Sequence, residues 1–169
     1  MHSTVDLMAE IQRTENPTIS DVERIEIEID KLPLDAAGIV EPRTLHEARF
    51  SIYFLAALAL AEGRVTTDNL TEAKVLDPEI EVLRKKVKAK GHSDVGLSSR
   101  VRVYMKDGTT YEKYTPAPKG SSENPLSAEE LKEKFKATSS LSPALAKEVI
   151  GKVMKLERVQ SVAEILSLI

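Results

Sequence analysis

The chain is 169 residues long, 41% hydrophobic and 30% charged, which suits one domain able to bury roughly 70% of its unfolded surface and is too apolar for intrinsic disorder. Its net charge of −3, from 24 basic and 27 acidic residues, supplies no field that would draw it to DNA, RNA or anionic lipid, so nucleic-acid and membrane partners are not expected. Cysteine is absent, which removes disulfides, thiol nucleophiles, iron–sulfur clusters and thiolate zinc sites.

The opening segment, MHSTVDLMAEIQ, has no apolar run of signal-peptide length, so a cytoplasmic location is expected. Ser3 or Thr4 is placed to cap a first helix whose Val5, Leu7, Met8 and Ile11 share one side, and Asn16-Pro17 stops it. In DVERIEIEID, Ile25, Ile27 and Ile29 alternate with Glu26, Glu28 and Asp30, a strand with one face on a core and one in water. Residues 31–45, with two prolines and a glycine, read as a connecting loop. A nearly all-apolar helix follows from about residue 46 to 62, closed by Gly63. Its apolar stretch covers about half of the ~20 residues that would cross a bilayer, so it is a buried core helix. Residues 67–76 read as helical, and Pro78 suits the first turn of the next helix, PEIEVLRKKV.

After Val87 a strand ends in GHSDVG, and SRVRVYMKDGTTYEKYT reads as a hairpin turning at Asp107-Gly108, with Val101, Val103 and Met105 facing the core. APKGSSENP is a polar loop, and Ser127 with Glu130 forms a capping box for AEELKEKFKA. Two further helices, from residue 143 to about 156 and from 161 to the end, carry apolar faces of Val149, Ile150, Val153 and Leu156, then Val162, Ile165 and Leu166. The fold class that results is α+β: a two-layer sandwich of a mostly antiparallel or mixed sheet packed against helices, with a helical C-terminal segment.

No residue identifies itself as catalytic. His2, His46 and His92 show no metal-ligand spacing, so neither a metal nor another cofactor is expected. The pair His46-Glu47 at the start of the apolar helix can bind a substrate carboxylate beside open helix amides, or merely solvate that helix end. Lys119-Gly120 suggests a phosphate or carboxylate contact or a structural turn, without P-loop spacing. The basic run Arg84, Lys85, Lys86, Lys88 and Lys90 lacks interleaved aromatics and reads as a solvated face. Ser51 lacks a nucleophile elbow, and its hydroxyl is expected to bond back to the helix backbone.

The segment EARFSIYFLAALALAEGRVT, through Phe50, Ser51, Tyr53 and Gly63, resembles the MmgE/PrpD family, whose members include 2-methylcitrate dehydratase, cis-aconitate decarboxylase and iminodisuccinate epimerase. PKGSSENPLSAEELKEKF is similar to a second family stretch through Pro118, Gly120, Asn124, Pro125, Lys134 and Phe135. The first residues, HSTVD, resemble the family's His-containing segment, with His2 and Asp6 in the corresponding positions. In the family that segment follows a lysine-bearing stretch, which this sequence does not include.

The resemblance covers nearly the whole chain and implies one domain over residues 1–169: the carboxyl-terminal lid of a cofactor-independent lyase or isomerase acting on di- or tricarboxylic acids, as in propionate catabolism, without its helical domain. It implies proton abstraction beside a carboxylate, which needs an acid and a base on opposite sides of the substrate, so a lid alone should be inactive. The substrate-binding candidates are His2, His46 and Lys119, and the partners a helical domain or a second copy. A stand-alone interaction or self-association module, or a domain that binds a carboxylate metabolite without catalysis, are the other readings.

Overall fold

Alternation in residues 22–30 becomes strand β1 (Val22–Asp30), with Val22, Ile25, Ile27 and Ile29 buried and Glu26 and Glu28 half-exposed. The computed structural model describes residues 1–92 and 96–169, so residues 93–95 of the expected GHSDVG strand end lie outside the described residues. β1 pairs in parallel with β2 (Val87–His92) and antiparallel with β3 (Ser99–Met105), and β3 pairs antiparallel with β4 (Thr110–Thr115). The result is a mixed four-stranded sheet in the order β2-β1-β3-β4, part of an α+β fold. The β3–β4 turn forms as its Asp-Gly pair demands: Gly108 has φ 89°, and the Asp107 carboxylate accepts from the Thr109 amide at 2.8 Å.

One face of the sheet carries helices. Helix α1 (His2–Glu15) ends on Asn16 in the left-handed region ahead of Pro17. Its start differs from expectation, because Ser3 and Thr4 lie inside the first turn and are buried, and Met1 is the cap without a side-chain bond. Residues 31–36 also differ: they form α2 (Lys31–Ala36) rather than loop. Pro33 occupies the first turn, where a missing N–H costs nothing because no intrahelical acceptor precedes it.

The expected long helix from residue 46 is two helices, α3 (Leu45–Ala48) and α4 (Ile52–Glu62). The chain extends at Ser51, which bridges Gly38, while the Ile52 amide donates to the Ala37 carbonyl at 2.9 Å. Ser51 Oγ accepts from the Phe54 amide at 3.1 Å, so it caps the helix instead of bonding back within it. α4 is apolar all round because it is surrounded, and Gly63 closes it at φ 69°. Burying a side chain such as Phe54 stabilises by about 1.5–3 kcal/mol. Residues 66–69 form a turn, with the Asn69 side chain accepting from the Thr66 amide at 2.7 Å and donating to Glu62 at 2.7 Å, so the expected helix shrinks to α5 (Glu72–Val75). α6 (Pro78–Lys85) begins with Pro78 behind the Asp77 cap.

Met8, Ile11, Ile25, Ile27, Ile29, Phe54, Leu58, Leu83, Val101 and Val103 form one apolar core among these elements. On the opposite sheet face, Arg102 pairs with Glu28 at 2.9 Å and Glu112 at 2.7 Å, and Tyr104 donates to Glu26 at 2.9 Å. This is the water-facing surface that the alternation required.

The chain divides into two compact units, Met1–Asn124 and Pro125–Ile169. In the second, the Ser127/Glu130 capping box starts α7 (Ala128–Thr138), Ser142 caps α8 (Pro143–Val153), and α9 (Ala163–Leu166) is a single turn. α8 is shorter than expected, ending in a 3-10 turn at Leu156–Arg158. Of the anticipated apolar faces only Val149 is buried, while Val153, Leu156, Val162 and Leu166 are exposed. A segment this small encloses little volume of its own. Among the described residues no helix is long and apolar enough to cross a membrane.

Candidate functional site

Two segments far apart in sequence meet at the amino end of α1. Asp6, one helical turn after His2 and on the same side of α1, accepts from the Lys119 backbone amide at 3.1 Å. Burial pushes the Asp6 carboxyl above its usual value, opposed by that amide and by the charges of His2, Arg13 and Lys119. His2 and Lys119 are both exposed there. One half-buried carboxylate thus takes the Lys119 backbone amide and lies within the electrostatic reach of His2 and Lys119.

The Lys119 turn is held by its own backbone. Gly120 adopts φ 92°, its amide donates to the Asn124 carbonyl at 2.7 Å, and the Asn124 side chain donates to the Ala117 carbonyl at 3.3 Å. Gly120 is required because a Cβ is disfavoured at that φ, and Asn124 because its amide closes the loop. The structural turn suggested for Lys119-Gly120 is formed, and it brings the Lys119 backbone amide to Asp6.

α1 itself is pinned. Thr4 Oγ1 and Ser99 Oγ lie 2.8 Å apart in the core, and Ser3 Oγ donates to the Leu97 carbonyl. Asp30, only 3% exposed, accepts from the Ser98 amide at 2.7 Å and the Ser98 hydroxyl at 3.1 Å, both on Oδ2. These side chains escaped the reading of the sequence, where Asp30 looked like one more outward carboxylate of an alternating strand. The Ser-Ser pair entering β3 just after a glycine was the available signal.

His46 does not open the buried helix. It stands exposed on α3, packed against Phe50 at 5.4 Å between ring centroids, on a helix whose contacts are with α5. Arg84 corrects the reading of a solvated basic face, since it is buried and donates to the Val40 carbonyl, and Lys86 donates to the Val22 carbonyl at 2.5 Å. Among the described residues no group of three or more His, Cys, Asp or Glu side chains is arranged to hold a metal.

The chain is 33% identical to cis-aconitate decarboxylase of Mus musculus over 104 residues, 59% of this chain and 21% of that protein. It is 32% identical to cis-aconitate decarboxylase of Homo sapiens over 105 residues, 59% of this chain and 22% of that protein. The matched stretch thus spans about a fifth of these curated relatives. The family model described as the MmgE/PrpD C-terminal domain matches residues 1–157. The chain belongs to the MmgE/PrpD family, as its C-terminal domain.

Proposed function

We propose that this chain works, as part of a cytoplasmic enzyme, as the C-terminal domain of a lyase or isomerase for di- or tricarboxylic acids, of the 2-methylcitrate dehydratase or cis-aconitate decarboxylase kind. His2 and Lys119 receive a substrate carboxylate, and a helical domain supplies the groups that complete the reaction. The observation that carries this reading is the Asp6–Lys119 link, which joins the two segments, HSTVD and PKGSSEN, through which the sequence resembles the family. Loss of a proton beside a carboxylate with departure of the hydroxyl as water or with reprotonation, or loss of carbon dioxide with protonation of the carbon skeleton it leaves, needs acid and base groups positioned around the substrate. The His2 face supplies one side.

Incubated alone with 2-methylcitrate, citrate or cis-aconitate, the chain is expected to cause no change in ultraviolet absorbance. Adding the helical domain of a family member should start turnover, and His2→Gln should then lower kcat by about 10²-fold or more. Turnover by the chain alone, or an unchanged rate in His2→Gln, contradicts the reading.

A second reading, a self-association or protein-interaction module, is favoured by one observation: Leu156 is 54%, Val162 62% and Ile169 69% exposed. Apolar side chains exposed in that number are a common mark of an interface. Light scattering separates the two, since a strict monomer at all concentrations tells against self-association.

A further inference from the structure

Asp30 poses a question of cost. It has the same strand parity as Glu26 and Glu28, which lie on the water-facing side of the sheet, yet it is buried at 3% exposure. A buried carboxylate is expensive unless hydrogen bonds replace its water. Asp30 receives two from Ser98, through the backbone amide at 2.7 Å and the hydroxyl at 3.1 Å. Space has been left for it as well: a Cβ on Gly96 would stand 2.9 Å from Asp30 Oδ2.

Successive residues of an extended chain point to opposite faces, and the entry to β3 uses this. Ser98 turns to Asp30 on one face, while Ser99 turns to Thr4 of α1 on the other, at 2.8 Å and fully buried. The preceding Leu97 carbonyl takes the Ser3 hydroxyl. Residues 97–99 are therefore gripped from both sides, and the grip on the helix side falls on the two residues immediately after His2.

We infer that Asp30 is a positioning residue for the His2 end of α1, acting through Ser98, Leu97 and Ser99 upon Thr4 and Ser3. The bond chain runs from the last residue of β1, across the start of β3, into the first turn of the helix that also carries Asp6. Its functional meaning rests on the reading of His2 and Lys119 as a carboxylate-binding pair, whereas the mechanical claim stands apart from it.

The test uses the full 169-residue chain. Amide hydrogen exchange is measured at Val5 and Asp6 in the first turn of α1, with Ile27 and Leu58 as core references, and the His2 ring resonance is followed in histidine-labelled protein. Asp30→Ala is expected to lower protection at Val5 and Asp6 by about tenfold or more, leaving the core references within about twofold. The His2 resonance should broaden or move while that of His46 stays. Asp30→Asn, whose carbonyl oxygen can take both Ser98 bonds, should restore both signals. Thr4→Val attacks the same chain from the helix side and serves if Asp30→Ala fails to fold. Its effect should be similar at Val5 and Asp6, and the double variant should lose less than the product of the two single losses.

Unchanged protection in Asp30→Ala and Thr4→Val overturns the inference. So does a uniform loss across α1 and the core, or a failure of Asp30→Asn to restore the turn. Citrate titration of the unsubstituted chain examines the site reading separately, so a failure there leaves the mechanical result standing.

Discussion

The two compact units hold their helices by different means. In Met1–Asn124, α4 is buried on every side, α1 packs on α4 and the sheet, and α6 packs on α4, while among the described residues only Ala146 and Val149 of Pro125–Ile169 are buried apolar side chains. The helices of the second unit are specified locally, by the Ser127/Glu130 capping box and by Ser142 ahead of Pro143. Caps contribute about 1 kcal/mol each, whereas burial of a single large side chain contributes more. Helix content alone therefore says little about where the stability of this chain lies. The first unit owns its core, and the second leaves Val153, Leu156, Val162 and Leu166 exposed.

The sharpest way to break that contrast is to remove one large side chain from each unit. Phe54→Ala should cost about 3–5 kcal/mol in denaturant unfolding, as a core cavity does. Val153→Ala, at an exposed position, should stay within about 0.5 kcal/mol. A comparable loss from both would mean that the second unit has a core after all.

Much of the first unit is legible in the sequence because its signals are local. The alternation of β1, the Asp107-Gly108 turn and Gly63 each need only a few neighbouring residues to be interpreted. What escaped depends on partners far along the chain. Ser3 and Thr4 look like helix caps until Leu97 and Ser99 claim their hydroxyls, and Arg84 looks solvated until the Val40 carbonyl takes it. The continuous apolar run hides the break at Ser51, which is forced by the bridge to Gly38. Of the three site candidates, His2 and Lys119 come to one place through Asp6, and His46 remains on α3 with Phe50. Spacing cannot reveal a convergence made by the sheet.

A smaller effect tests the local signals. Gly63→Ala places a Cβ at φ 69°, in contact with Arg13 Cγ at 3.4 Å, and should cost about 1–2 kcal/mol, seen as a lower Tm. If the melt is unchanged, the left-handed cap contributes less to α4 than its core does.

The smallest expected effect lies at the site. Because burial raises the Asp6 carboxyl above its unfolded value, the ionised form opposes folding. That penalty is full above the folded pKa and vanishes as pH falls below the unfolded one, about 3.9. Asp6→Asn should therefore raise Tm slightly at about pH 7, with the gain gone by about pH 3. A variant less stable at neutral pH would show that the charge supports the fold, and the two units would then differ less in kind.

His2 and Lys119 are proposed to form one carboxylate-binding surface. Its most direct test is a citrate titration of the full chain followed at the histidine ring and lysine resonances. Saturable shifts at His2 and Lys119, absent at His46 and abolished at Lys119 by His2→Gln, are the predicted result. No shift at His2, or equal shifts at His2 and His46, would contradict it.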